Sequence, residues 1–324
     1  MAIPLETVRR NIVAEMKKVK EASKGRYYPA WFAYPSTKIP LRQAKTKEFA
    51  TVIPGDKSTY VFDDEHAYLN DYATSRFGWT WKKGGWDCMR HLEIMAAGCV
   101  PLFKGIEECP AASMVAYPKK ELEAVYKRWA MNPEISESLY EEWQRIMAKY
   151  FLGALTCGAM IKVSHACVFG FESEAPSKIL FLDDRIPVKP DYQSMMVLIG
   201  LYEAWPEAHI DVPFEVPYLY DDFTGPTSQL YGRGFSYVKS IPSGQRRPTI
   251  NIKDAWKALD SYDLIVYGSV KRSQPGLLAI TSKVDHAKIW LFCGADRQPH
   301  ISRLNLWMRL GTVFMREAVT ESLP

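Results

Sequence analysis

The amino-acid sequence predicts an α/β protein made of two units, each a parallel sheet covered by helices on both faces. Three observations lead there. Short, continuous apolar runs such as "KILFL" (178–182), "DLIVYG" (263–268) and "KIWLFC" (288–293) have the length and residue types of strands buried on both faces. Helical patterns alternate with such runs through both halves of the chain. A polar, proline-containing stretch at "FESEAPSKILFLDD" (171–184) then interrupts the pattern, which separates a unit at 1–174 from a second at 175–324.

Taken in order, the first half opens on an amphipathic basic helix within residues 1–26. Strands follow at "YYPAWFAYP" (27–35) and "FATVIP" (49–54), then a helix at "DDEHAYLNDYATS" (63–75). The run "GWTWKKGGWDCMRHLEIMAAGCVPLF" (78–103) reads as a tight basic turn, a helix from Cys88 to Ala97, and a strand from Gly98 to Phe103. "MVAYP" (114–118) reads as a further strand. Helices cover 119–131 and a segment starting at Ser136 or Ser138 and running to 155. In the second half, strands are expected at 178–184, 209–214, 263–270 and 288–296. Helices are expected at 192–205, 253–262 and, as a long terminal element, from about Ser302.

Composition narrows the class. Of 324 residues, 47% are hydrophobic and 24% charged, ordinary values for a globular chain. The most apolar window, 151–171, carries Lys162 and His165 in its middle, so it reads as a buried helix and linker, and no membrane span is expected. The N-terminus lacks the features of a secretory signal. Six cysteines (Cys88, Cys99, Cys109, Cys157, Cys167 and Cys293) show no CxxC spacing, and reduced core thiols suit a cytoplasmic protein. The net charge of +4 is uneven: residues 1–50 hold 11 Lys and Arg against 4 Asp and Glu. That concentration weakens a reading as a general nucleic-acid binder. No strand is followed by GxGxxG, which disfavours a dinucleotide-dependent dehydrogenase.

The chemistry concentrates at 78–103. Gly84 and Gly85 allow positive φ and close backbone approach. Asp87 is placed to cap the following helix and Gly98 to end it. Lys82 and Lys83 stand just ahead of the helix start, whose free N–H groups and dipole favour an anion. Arg90 and Glu93, three residues apart, share one helix face. A cation near a phosphate with a carboxylate beyond it suits a nucleoside diphosphate, the carboxylate accepting from ribose hydroxyls; an Arg–Glu surface pair is the plainer alternative.

The block "DYATSRFGWTWKKGGWDCMRHLEIMAAGCVPLF" (71–103) resembles the nucleotide-sugar motif of exostosin-like glycosyltransferases, including those of large algal viruses. The resemblance implies a GT-B fold, two Rossmann-like domains with the donor between them, and inverting sugar transfer with no obligatory metal cofactor. It also implies that Ser75, Arg76, Thr80, Lys82 and Lys83 line the donor phosphates, beside Gly84 and Gly85, and that Arg90 and Glu93 hold phosphate and ribose. In that family the donor motif lies in the C-terminal half, so its place here implies a circularly permuted order, donor domain first. A second, shorter stretch, within 261–299, is similar to the acceptor-side domain of T-even phage DNA β-glucosyltransferases, and implies Asp296 as the catalytic base.

Asp184 is the second candidate base, since "DD" (183–184) ends a strand of the second unit. The same pair is open to a GT-A reading, in which strand-end aspartates coordinate manganese. A loop carboxylate paired to Arg297 is the plainer alternative for Asp296. The sequence thus points to an inverting transferase using a nucleoside-diphosphate sugar, taken as a UDP-sugar, with a glycan acceptor ahead of a hydroxymethylated base in DNA. A non-catalytic nucleotide-sugar or sugar-binding protein is the alternative of another class. The sugar and the oligomeric state stay open.

Overall fold

A computed structural model describes residues 4–319. The elements are α1 (Leu5–Ala22), β1 (Tyr28–Pro29), β2 (Lys47–Phe49), α2 (Glu65–Ala73), β3 (Ser75–Trp81), α3 (Met89–Ala96), β4 (Val100–Lys104), α4 (Lys119–Met131), α5 (Glu137–Tyr150) and α6 (Cys157–Phe169). The second half adds β5 (Lys178–Leu182), α7 (Tyr192–Ala204), β6 (His209–Asp211), α8 (Ile252–Lys257), β7 (Leu264–Tyr267), α9 (Leu277–Thr281), β8 (Ile289–Cys293), α10 (Ile301–Met308) and β9 (Thr312–Met315).

All strand pairings between these elements are parallel. They form a three-stranded sheet, β2-β3-β4, and a six-stranded sheet, β1-β9-β8-β7-β5-β6. The expected α/β class with parallel sheets is present. The central strands of the large sheet are hydrophobic because both faces are covered: β5, β7 and β8 bury nearly every side chain. Read from β5, the second half winds outward in two directions, β6 on one side and β7, β8, β9 on the other. The order reverses between β5 and β7, and in open sheets of this kind the ligand crevice lies above such a reversal, at the carboxyl ends of the strands.

Several elements differ from the sequence reading. The segment 75–81 is a strand, not the approach to a turn, and none of its residues is exposed. The expected strand at 114–118 is a series of turns instead, because Met114 takes positive φ and Tyr117 N–H bonds back to the Met114 carbonyl. The expected long terminal helix stops at Met308 and gives way to β9. The first strand shrinks to β1, which pairs with β9 and so joins the large sheet, with α1 packed beside it. α5 passes through one π-helical stretch, Phe151–Leu155, before Thr156 caps α6.

α6 and α7 are almost wholly buried and pack closely, which small residues permit. One core cluster runs from Phe77 and Leu102 of the small sheet to Phe292 and Phe314 of the large one. No helix among the described residues is long and apolar enough to cross a membrane. At the α6–α7 contact a Cβ on Gly200 would stand 2.6 Å from the Cys157 carbonyl oxygen, a backbone atom that cannot step aside. Gly200→Ala should therefore cost about 1–3 kcal/mol through overpacking, measured by urea denaturation; an unchanged midpoint would show that the two helices separate easily.

Candidate functional site

The carboxyl ends of β3 from the small sheet and of β5, β7, β8 and β9 from the large one face a common cleft. The turn after β3 enters it first. Gly84 and Gly85 take no left-handed backbone, contrary to the expectation from sequence. They are required by close approach: a Cβ on Gly84 would lie 2.9 Å from Asp296 Oδ2, and one on Gly85 would overlap the Glu317 carboxylate. The glycine turn and Asp296 are thus in direct contact.

Asp87 does not cap α3. The N-cap is Cys88, with no side-chain bond. The Asp87 carboxylate turns inward and accepts from the Phe32 N–H and, at 2.8 Å, from the Tyr117 hydroxyl. Gly98, with φ of 65°, lies just past the α3 C-cap. Thr80 is fully buried, its hydroxyl 2.7 Å from His91 Nδ1, while His91 Nε2 donates to the Trp86 carbonyl at 2.8 Å. Burial pushes the imidazole down to about 3, so His91 is neutral and, together with Thr80, braces the turn from beneath.

Lys82 is exposed, with its ammonium 4.9 Å from the Trp86 ring centre, and Lys83 lines the cleft without an ion-pair partner among the described residues. Ser75 and Arg76 stand at the other end of β3, about 20 Å from the turn by strand rise. Ser75 donates to the Asp71 carbonyl. Arg76 pairs with Glu48 and Glu137 and lies over Tyr140. The structure does not bring these two to the cleft.

Arg90 and Glu93 face the second half of the chain. Glu93 is buried and accepts from the Tyr68 hydroxyl at 2.7 Å and from the Ser236 hydroxyl at 2.6 Å; burial pushes its carboxyl up. Arg90 Nη1 is buried without a partner, and Nη2 reaches only the Tyr60 hydroxyl at 3.5 Å. These two line a cavity of about 510 Å³ walled by Tyr60, Phe62, Tyr68, Tyr192, Tyr231 and Phe235. A second cavity of about 710 Å³ continues from it through Cys88, Met89, Tyr192 and Tyr231, and holds Lys83, Gly84, Gly85 and Asp296.

Asp296 follows β8. Its partner is Arg316 from the end of β9, not the adjacent Arg297. Arg316 is 1% exposed and its guanidinium lies 4.2 Å from the Phe32 ring centre. Across the cleft, at the β5–β7 reversal, Arg272 pairs with Asp183 at 2.6 Å and Asp191 at 2.8 Å, and Ser194 also donates to Asp183 at 2.6 Å. Asp183 is consequently committed to structure. Asp184 is exposed, bonds Ser273 at 2.6 Å, and does not line the cleft. The two carboxylates bond different partners, and among the described residues no group of three or more His, Cys, Asp or Glu could hold a metal ion.

Sequence reasoning missed Arg316, Glu317, Ser236, Gln193, Lys189 and Lys271, all at or beside these cavities. For Arg316 and Glu317 the available signal was the short apolar run "TVFM" just before them, hidden in an expected helix. Ser236 carried none. Comparison with protein-family models, with curated proteins and with solved structures returned no match.

The Asp87 carboxyl is pushed up from 3.8 to about 7, first by desolvation and against the pull of Arg316. The folded protein then holds a proton that the unfolded chain has lost between about pH 4 and 7. The stability due to Asp87 is present below that window and disappears as pH rises through it. Asp87→Asn keeps an acceptor for Phe32 and removes the titration. Relative to wild type, the variant should gain stability between pH 4.5 and pH 8 in denaturant melts; a difference independent of pH would mean that Asp87 is ionised throughout.

Proposed function

We propose that the protein is an inverting glycosyltransferase that moves a sugar from a nucleoside-diphosphate sugar, a UDP-sugar, to an acceptor hydroxyl on a glycan. One observation carries the reading: the basic glycine turn and α3 start lie against Asp296 in a cleft that collects the carboxyl ends of both sheets. The remaining contacts fit. The aromatic cavity has the size and stacking surfaces for a nucleoside, with Arg90 Nη1 unpartnered at its wall. The Glu93 carboxylate accepts two bonds at present and has lone pairs left for a ribose hydroxyl.

In this reading the diphosphate lies at the turn, near Lys83 and the first amides of α3, and the sugar points toward Asp296. The acceptor oxygen attacks the anomeric carbon from the face opposite the leaving group. Its proton passes to Asp296, and the bond from the anomeric carbon to the phosphate oxygen breaks. Charge developing on the departing diphosphate is met by Lys83, Lys82 and the helix start.

Thermal-shift screening of UDP, GDP, CMP and TDP sugars tests donor binding, since a ligand of the folded state raises apparent stability by mass action. A UDP-sugar should raise the melting temperature and be transferred, or slowly hydrolysed, in excess EDTA. Asp296→Asn should lower turnover by roughly 10²–10⁴-fold with nucleotide affinity retained, and Asp184→Asn should leave turnover near wild type. Binding without any turnover would point to a sugar-binding protein. Loss of turnover in Asp184→Asn alone would move the base to the end of β5.

A further inference from the structure

Arg316 carries an inference that deepens the transferase reading and rests on it. Its side chain is buried, and each of its donor nitrogens is engaged. Nε and Nη2 donate to the Gly294 carbonyl at 3.1 and 2.9 Å. Nη2 also donates to Asp296 Oδ1, and Nη1 donates to the Asp87 carbonyl and, at 3.1 Å, to Glu317 Oε1. An arginine has five N–H donors in a rigid planar fork, and here five bonds use them. Glu317 Oε1 accepts in turn from the Asp87 N–H at 3.0 Å.

The two neighbours therefore hold the Asp87 residue by its carbonyl and its N–H together, from the end of β9. The same guanidinium fixes the backbone after β8 and one oxygen of Asp296. What it leaves over is Asp296 Oδ2, the oxygen that faces Gly84. One planar group thus sets the distance between the anion-binding turn of the first half and the free carboxylate oxygen of the second. We infer that Arg316 is a positioning residue for the transfer step, aligning Asp296 Oδ2 with a donor held at the turn, with Glu317 as its partner in that clamp.

A lysine can keep the charge and one or two of these bonds but cannot hold Gly294, Asp296 and Asp87 at fixed mutual angles. A displacement of about 1 Å in a reacting group is enough to cost on the order of 10²-fold in rate. Arg316→Lys should accordingly lower kcat by about that factor while UDP affinity, measured by calorimetry, changes no more than about threefold, because the lysines and α3 start remain. On an Asp296→Asn background the same substitution should cost little more, since both act through one carboxylate. Gly84→Ala approaches the same oxygen from the other side without touching the buried pair. Its Cβ displaces the end of the Asp296 side chain, so kcat should fall by more than UDP affinity does, with stability little changed.

Equal losses of affinity and turnover in Arg316→Lys, or losses that multiply in the double variant, would overturn the positioning role. Should Arg316→Lys not fold, Gly84→Ala decides, and wild-type kcat in that variant overturns it. Amide exchange separates this idea from the transferase reading. If the wild type neither binds nor turns over any nucleotide sugar, the transferase reading fails, and the positioning role fails with it. The clamp itself survives only if Arg316→Lys still accelerates exchange at residues 85–88. Unchanged exchange there overturns the clamp whatever the enzyme does.

Discussion

The arrangement of the cleft depends on one buried cation, Arg316. A guanidinium removed from water is costly unless every donor finds an acceptor in good geometry. The Asp296 and Glu317 carboxylates and the carbonyls of Gly294 and Asp87 are those acceptors. All four lie on loops at sheet ends, where backbone would otherwise be free to wander. Satisfying the arginine therefore fixes the loops, and fixing the loops builds the site. Phe32, packed over the guanidinium plane, adds the segment after β1 to the same assembly, and its N–H binds Asp87.

A second buried network does the same on the other wall. Arg272 joins Asp183 at the end of β5 to Asp191, the N-cap of α7, across the point where the strand order reverses. Asp183 is not available to a ligand, because removing a partner from such a pair would strand a buried charge, whereas Asp191 lines the cleft. The three lysines on the cleft lining, Lys83, Lys189 and Lys271, differ in kind: they are exposed and have no ion-pair partner among the described residues. Structural cations sit beneath the surface with carboxylates, and mobile cations stand above it. That division is what an anionic ligand needs, since it meets positive charge without breaking the scaffold.

Much of the framework was legible in sequence because it depends on local signals. Strands β5, β7 and β8 are apolar runs of the right length, α4 and α5 carry helical periodicity, and α7 is an apolar run too long for a strand. Gly98 falls beside the end of α3, as its backbone freedom suggests. The turn at Lys82–Trp86 was legible too, but the reason for its glycines was not. Positive φ is a property of the chain alone, whereas the carboxylates of Asp296 and Glu317, which leave no room for a Cβ, arrive from more than 200 residues away. The same limit explains Asp87, whose spacing suits a cap but whose burial beside Phe32 and Tyr117 gives the carboxylate better partners. Ser75 and Arg76 were grouped with the turn by proximity in the chain. Once 75–81 is a strand, that proximity becomes the full length of β3. Arg316 was hidden because β9 is four residues long and follows α10 closely.

The small sheet raises a last physical point about how the cleft can work. Three short strands with β2 wholly exposed along its length make a weak unit by themselves. Here β3 and β4 instead send Phe77 and Leu102 into the same buried cluster as the large sheet. Domains that share a sizeable apolar interface do not swing freely, unlike those joined by a polar one. Ser236 on Glu93, Phe32 on Asp87 and the Arg316 fork add polar fasteners near the cleft. A rigid-body closure would have to break all of these at once. Access is more economically provided by side chains and by residues 231–235, where Arg233 holds positive φ and lines the aromatic cavity. Ser236, buried and bonded to Glu93 and Glu65, ties the residues that follow to α3 and α2, so the exposed Tyr231 and Arg233 are the least constrained part of the wall over the aromatic cavity, while the distance from turn to Asp296 stays fixed.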